Sequence, residues 1–372
     1  MSLKEIGNMN PVPRTLLREL RRVNKEIREQ KLRTRDALPK DEPVRYWKGE
    51  ETLYLNGKLA HLNSLTIIFA TKGCTWAREN PGGGCIFCGY LYDNPQRTGD
   101  LLKQLNYFTE KFERVDRQNV KVLKLYTSGS FLDEKEVPIQ TQREVISTLP
   151  AIFPELKVLQ IEARPENLLK DNIETFLSIK EEGVNVYFNI GLESINTTVL
   201  RLINKGLNVK TYQKAVNHAK SYGFKIKTYL LLKPPFLTEK EAINDTFTSG
   251  KKAIQEGSDS LSINPLTIHS GTVCEKLWQS GLYRPPWPQS IIFVLRKLLN
   301  IKSQNQVILS EPVALGTPRG AHGTGKNIRQ LKHTLEEVVR SQSPRAVPQD
   351  ARKPWHEYLE KEVQDLAFST VV

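Results

Sequence analysis

From residue 65 onward the chain alternates short, nearly apolar β-branched runs with stretches of helical spacing, and this alternation restricts the fold more than any other feature. The strand candidates are 65–71, 120–127, 156–162, 184–191, 224–231 and 259–265. Between them, 141–153, 167–182, 209–222 and 238–256 repeat apolar residues at three and four positions, as helices do. A crossover of that length returns the chain to the same edge of a sheet, so successive strands must run parallel. Apolarity on both faces of each run is what a strand covered by helices requires. Six such units predict an α/β fold, a partial (β/α)6 TIM-like barrel, with its site at the C-terminal strand ends. The segment YRPPWP, Tyr283 to Pro288, punctuates the chain. The expected organisation is a basic helical extension over 1–60, the barrel over 61–285, and an α/β extension over 286–372 that contacts substrate or partner.

The 372 residues carry 54 Lys and Arg against 41 Asp and Glu, a net charge of +13. Residues 1–40 hold eleven basic and five acidic side chains, and 319–354 hold eight and three, so most of the excess sits at the two ends. In the first of these, Leu16, Leu20, Val23 and Ile27 recur at helical spacing among Arg18, Arg21, Arg22, Lys25 and Arg28. Such ends suit a polyanion, because cations on phosphates gain affinity by releasing counterions; a solvated or packed helix face fits the pattern equally. The opening MSLKEIGNMN has no apolar core of a secretory signal, and no apolar run is long enough to span a bilayer, so a cytoplasmic protein without membrane contact is expected.

Of the four cysteines, Cys74, Cys85 and Cys88 share one loop directly after the first strand candidate, TKGCTWARENPGGGCIFCGYLYDN. Their spacing is C-x10-C-x2-C, and glycines 73, 82, 83, 84 and 89 surround them. Glycine lets backbone wrap closely round a bulky inorganic cluster and aim N–H groups at its sulfurs. A structural zinc site needs four ligands and the loop has three; a four-iron cluster on three thiolates keeps one iron open for a cofactor. Zinc completed from afar, by Cys274 or one of the six histidines, is the competing reading. Cys274 itself is expected to be an inert core thiol.

A three-cysteine loop after strand one of a six-unit α/β barrel resembles the radical S-adenosylmethionine (SAM) superfamily. The resemblance implies a [4Fe-4S] cluster on Cys74, Cys85 and Cys88, with SAM chelated at the open iron and cleaved by one electron to a 5′-deoxyadenosyl radical. Phe87 then matches the aromatic beside the adenine. Thr127, Ser128, Gly129 and Ser130, after strand two, match the segment that receives the SAM amino group. Glu162 and Arg164 after strand three can meet the charges of its amino acid moiety. Glu193 and Ser194 after strand four suit ribose hydroxyls or the ammonium.

The stretches GCTWAREN…GGGCIFCGYLYDN, LYTSGSFLDEKEVP, IEARPENL, GLES, LLKPPFLTEKEAI, SINPLTIHSGT and SEPVALGTPRGAHG look like a narrower family, the radical SAM subunit of archaeosine synthase. The insertion ENPGG between the first two cysteines is a departure from it. This resemblance implies a tRNA-modification enzyme working with a lysine-transferase subunit and an external electron donor. The partner adds lysine to cyano-7-deazaguanine in archaeal tRNA, and the radical subunit cleaves the C–N bond to leave archaeosine. Lys233, Asn264, His269, Arg319 and His322, in loops expected to face the cluster, are the candidate substrate contacts. Two other readings are carried: another radical SAM tRNA enzyme of the Elongator catalytic type, and a zinc-stabilised RNA-binding module. An Elongator-type chain is expected to continue into an acetyltransferase domain, and fewer than ninety residues follow Pro288.

Overall fold

The computed structural model describes residues 14–34, 38–39, 41–95, 97–323, 328–345 and 349–365, of which 349–351 and 362–365 are described as backbone alone. Eight strands form one sheet in chain order: β1 (Arg45–Leu55), β2 (Lys58–Ile68), β3 (Val122–Tyr126), β4 (Val158–Ala163), β5 (Asn185–Glu193), β6 (Lys225–Leu232), β7 (Ser260–Pro265) and β8 (Val307–Leu309). β1 and β2 are antiparallel, and every later pairing is parallel. β1 also approaches β8, so the sheet curls into a nearly closed barrel with helices on its outside.

The six expected strands are all present, and the barrel architecture is as expected. Two strands were not expected. β1 carries the charged run Lys48-Gly49-Glu50-Glu51, which hides its period-two pattern; it is held to β2 by an Asn56-Gly57 turn with φ 51° and 75°, the backbone that Asn-Gly favours in a tight hairpin. Residues 45–60 are therefore sheet rather than part of a helical extension. β8 has three residues, and its pairing with β7 carries the sheet past residue 285. The expected helix over 167–182 breaks into two 3-10 segments, Pro165–Leu169 and Asp171–Phe176, before the helix Leu177–Glu181. Extended Lys170 separates the first two, while Asn167 and Asn172 spend their side chains on Ser130 Oγ and the Leu132 carbonyl.

The barrel lumen is polar where an ordinary TIM-type core is aliphatic. Glu51 of β1, 1% exposed, accepts from Lys227 Nζ at 2.8 Å and Gln160 at 3.1 Å and pairs with Lys124. The two ammonium groups hold its carboxyl low, at about 2, against the cost of burial. One layer higher, Asn189 Nδ2 bridges Gln160 Oε1, Tyr126 Oη and Tyr229 Oη, and the two phenols bond at 2.8 Å. Leu53, Val122, Val158 and Tyr187 seal the floor. No helix among the described residues is long and apolar enough to cross a membrane.

Candidate active site

The cysteine loop leaves β2 at the C-terminal end of the barrel. Cys74 caps the short helix Thr75–Glu79, its carbonyl accepting from Ala77 and Arg78 N–H at 3.1 Å. Cys88 N–H donates to the Cys85 carbonyl, and Ile86 between them is fully buried and tied to the backbones of Ile203 and Cys274. The three thiols are half-buried and unbridged. Burial pushes Cys74 up to about 11 and Cys88 to about 12; Cys85 raises both, and Cys74 adds to the rise at Cys88, so the three sulfurs share one space. Among the described residues no group of three or more His, Cys, Asp or Glu is placed to hold a single metal ion. Three thiols facing one space suit an iron–sulfur cluster, whose irons take thiolate ligands.

The tight backbone of the loop explains its glycines. A Cβ on Gly84 would stand 2.7 Å from Ala77 Cα, and one on Gly89 2.7 Å from His269 Cβ. At Gly129, in the loop after β3, a Cβ would meet Cys74 Cα at 2.6 Å and collide with Glu136. The loop after β3 thus lies directly against the first cysteine. Glu136 brackets the contact: it accepts from Thr71 Oγ1 at 2.7 Å and Ser130 N–H at 3.0 Å, and burial lifts its carboxyl to about 8.

Three strand ends put a side-chain-bearing residue in the left-handed region: Ser128 after β3, Glu193 at the end of β5 and Lys233 after β6, with φ 65°, 66° and 62°. Such strain persists where surrounding structure over-determines it, commonly at functional sites. Glu193 Oε1 receives Lys205 Nζ at 2.8 Å, both side chains nearly buried. Glu162, at the end of β4, is raised to about 7 by burial against the pull of Lys205. Arg164 sits 5.4 Å over the Trp76 ring, pairs with Glu166 and donates to the Lys205 carbonyl. It lowers the pKa of Cys74, as Arg28 lowers that of Cys88. The mouth of the barrel therefore joins a thiol cluster, two cations and two carboxylates, a set suited to an anionic cluster and a zwitterionic amino acid.

The remaining candidates fall in different places. Phe87, half-buried, packs between the main core and the small one around Cys274. The backbone of Thr127 and the hydroxyl of Ser130 hold other loops: the Thr127 carbonyl accepts from Thr71, and Ser130 Oγ accepts from Arg164 N–H and Asn167. Ser194 Oγ donates to Asp245 and accepts from Asn196 N–H. Lys233 is buried in an ion pair with Glu239 at 2.9 Å, and Asn264 Oδ1 accepts from Ser262. His269 Nδ1 accepts from Gly89 N–H at 3.0 Å, and burial lowers its pKa, so it grips the cluster loop as a neutral ring. Arg319 pairs with Glu275 at 2.6 Å, and His322 Nδ1 lies against the Gly320 carbonyl. Residues 324–327, beside the last of these, lie outside the described residues.

Sequence reasoning missed Glu136, Lys205, Asn204 and two polar residues of the N-terminal helix Arg14–Arg33. Asn24 donates to the carbonyls of Gly82 and Gly84, as does Asn204 from the opposite side. Arg28 donates to those of Cys85 and Cys88. Of the two readings the pattern allowed for this helix, an arm for a polyanion and a packed face, its buried side follows the second: it is packed on the cysteine loop. Asn24 and Arg28 sit four residues apart beside the apolar stripe, a signal of a polar seam that the helical periodicity contained.

A sequence profile of the radical SAM superfamily matches residues 68–245. Over 360 residues the chain is 33% identical to archaeosine synthase subunit beta of Methanosarcina acetivorans, covering 94% of this chain and 99% of that one. The protein of the same name from Thermococcus kodakarensis is 34% identical over 301 residues, 78% of this chain and 90% of that one. Among solved structures, the archaeal Elp3 of Methanocaldococcus infernus aligns with a TM-score of 0.47 and 17% identity, over 66% of this chain and 60% of that one.

Proposed function

Because this chain belongs to the archaeosine synthase subunit beta family of the radical SAM superfamily, we propose that it is the radical subunit of a tRNA-modifying enzyme, cleaving the C–N bond of a lysine adduct of cyano-7-deazaguanine to give archaeosine. The observation that carries the reading is the three-thiol loop pressed against the strained loop after β3, where Gly129 meets Cys74, in a chain alignable with that family almost end to end. Cys74, Cys85 and Cys88 would hold a [4Fe-4S] cluster, which when bound supplies the electron that converts SAM to a 5′-deoxyadenosyl radical.

Each side chain then has a physical task. Glu162 and Glu193 would bind the cationic end of the SAM amino acid, and Arg164 and Lys205 its carboxylate. The backbone at Ser128 and Gly129 would accept from its ammonium, and Phe87 would pack on the adenine. A hydrogen atom would be taken from the lysine carbon next to the amidine nitrogen, whose lone pair would stabilise the carbon radical. Loss of one electron from that carbon to the oxidised cluster and addition of water would then give a carbinolamine, whose C–N bond breaks to the side-chain aldehyde and the free amidine of archaeosine. Lys233, His269, Arg319 and His322, in loops at the barrel mouth, and Asn264, near the end of β7, would receive the adduct. The exposed Arg18, Arg21, Arg22 and Lys25 of the N-terminal helix suit tRNA phosphates. A lysine-transferase subunit supplies the adduct, and an external donor supplies the electron.

The test is anaerobic reconstitution with iron and sulfide, then incubation with SAM, reductant and lysine-adduct tRNA. Archaeosine should form with the unaltered chain and be lost with Cys88→Ala. Formation that survives the substitution overturns the assignment.

A further inference from the structure

Arg28 is 3% exposed, and its guanidinium is used only in part. Nη2 donates to the carbonyls of Cys88 at 3.0 Å and Cys85 at 3.2 Å. The group lies 5.4 Å from the centroid of the Tyr92 ring. Nε and Nη1 are buried with no hydrogen-bond partner. A buried donor left unpaired is costly, and more so when charged. A cation with unpaired donors is therefore an unfavourable thing to place in an apolar seam. The helix around it is anchored at a second point, where Asn24 holds the carbonyls of Gly82 and Gly84.

A group of negative charge resting on Cys85 and Cys88 would offset the cost of this buried cation. A four-iron cluster with three thiolates carries net negative charge, and one more when it accepts an electron. A fixed positive charge nearby favours the reduced form. We propose that Arg28 is a positioning residue for the cluster: its planar guanidinium orders the Cys85–Cys88 turn through Nη2, and its charge, delivered by the N-terminal helix, raises the reduction potential of the cluster held there. The proposal rests on the cluster reading above, and it extends that reading to a helix outside the barrel.

Two variants separate the fork from the charge. Arg28→Gln removes both; Arg28→Lys keeps the charge and loses the planar fork. The first measurement is amide hydrogen exchange on the metal-free protein, where exchange at Ile86–Gly89 should quicken at least tenfold in both variants. The second is a potentiometric titration of the reconstituted cluster, followed by its electron paramagnetic resonance signal. At a fixed potential, Arg28→Gln should lower the reduced-to-oxidised ratio about tenfold, about 59 mV for a one-electron couple, and Arg28→Lys should restore most of it. A potential in Arg28→Gln equal to that of the unaltered protein overturns the charge role, as does an equal fall in Arg28→Lys. Unchanged exchange in Arg28→Lys overturns the ordering role, and this arm decides it even where Arg28→Gln fails to fold. Failure of the unaltered protein to take up iron and sulfide would count against the cluster reading, which the metal-free exchange experiment does not need.

Discussion

Lys205 reaches Glu193 at 2.8 Å across the end of β5, at a glutamate whose backbone is held at φ 66°. Burial alone would disfavour both charges, and the pairing keeps the lysine protonated, its pKa raised by Glu193 and the Cys85 thiol against desolvation. Removing one partner strands the other, which costs about 3–5 kcal/mol for a buried pair. Lys205→Met should lower the unfolding free energy of the metal-free protein by roughly that amount. Lys205→Met with Glu193→Gln should recover at least half of it in the same denaturant titration. A double variant no more stable than the single one would show that the pair is not coupled.

Gly129 stands where the loop after β3 meets the cysteine loop, and a methyl group there collides with Glu136 and Cys74. Gly129→Ala should cost on the order of 1–3 kcal/mol from overpacking. Because the strain falls on the first cysteine, iron bound per chain after reconstitution should drop by more than half while far-ultraviolet circular dichroism stays native. Full iron loading would mean that the two loops can separate freely.

Asp245 shows a pH dependence whose sign can be worked out. Burial raises its carboxyl from the ordinary 3.8 to about 7, with only the Ser194 hydroxyl opposing. The folded state then binds the proton more tightly than the unfolded chain, so this group's contribution to stability is present below about pH 4 and lost as pH rises to about 7. Each tenfold displacement of the proton equilibrium is worth about 1.4 kcal/mol. Asp245→Asn keeps an acceptor for Ser194 and never ionises. Its melting temperature should exceed that of the unaltered protein at pH 8, with the gap closing towards pH 4. A gap that is constant across that range would mean that Asp245 titrates normally.

The basic N-terminal helix makes opposite predictions under its two readings. A free arm for tRNA could be removed without effect on the cluster. Packed on the loop through Asn24 and Arg28, it should be needed for it. Deleting residues up to Arg33 should therefore lower iron retention and speed bleaching of the cluster absorbance in air at least severalfold. A deletion that keeps its colour would return the helix to the role of an arm.

Cluster uptake should also release protons. Two of the three thiols are held at about 11 and 12 before loading, and metal takes the thiolate. Reconstitution should be faster and more complete at pH 8.5 than at pH 7, measured as iron and sulfide per chain.

What the sequence determined by itself was local. Strand periodicity, crossover length and the spacing of Cys74, Cys85 and Cys88 are set within a few dozen residues. They were enough to establish a parallel barrel with a three-thiol loop at its C-terminal end, and to place Ser128, Glu162 and Glu193 at strand ends. Only the tertiary structure decided what those ends touch. β8 is three residues long and forms because β7 offers it an edge; β1 is charged and forms because β2 and the buried ammonium groups of Lys124 and Lys227 accept Glu51. Lys205, Glu136 and Arg28 belong to the site because distant segments carry them to the cysteine loop. Arg28 joins a loop 57 and 60 residues further along the chain. No periodicity records such a contact, since its energy depends on a buried partner that exists only once the barrel has closed.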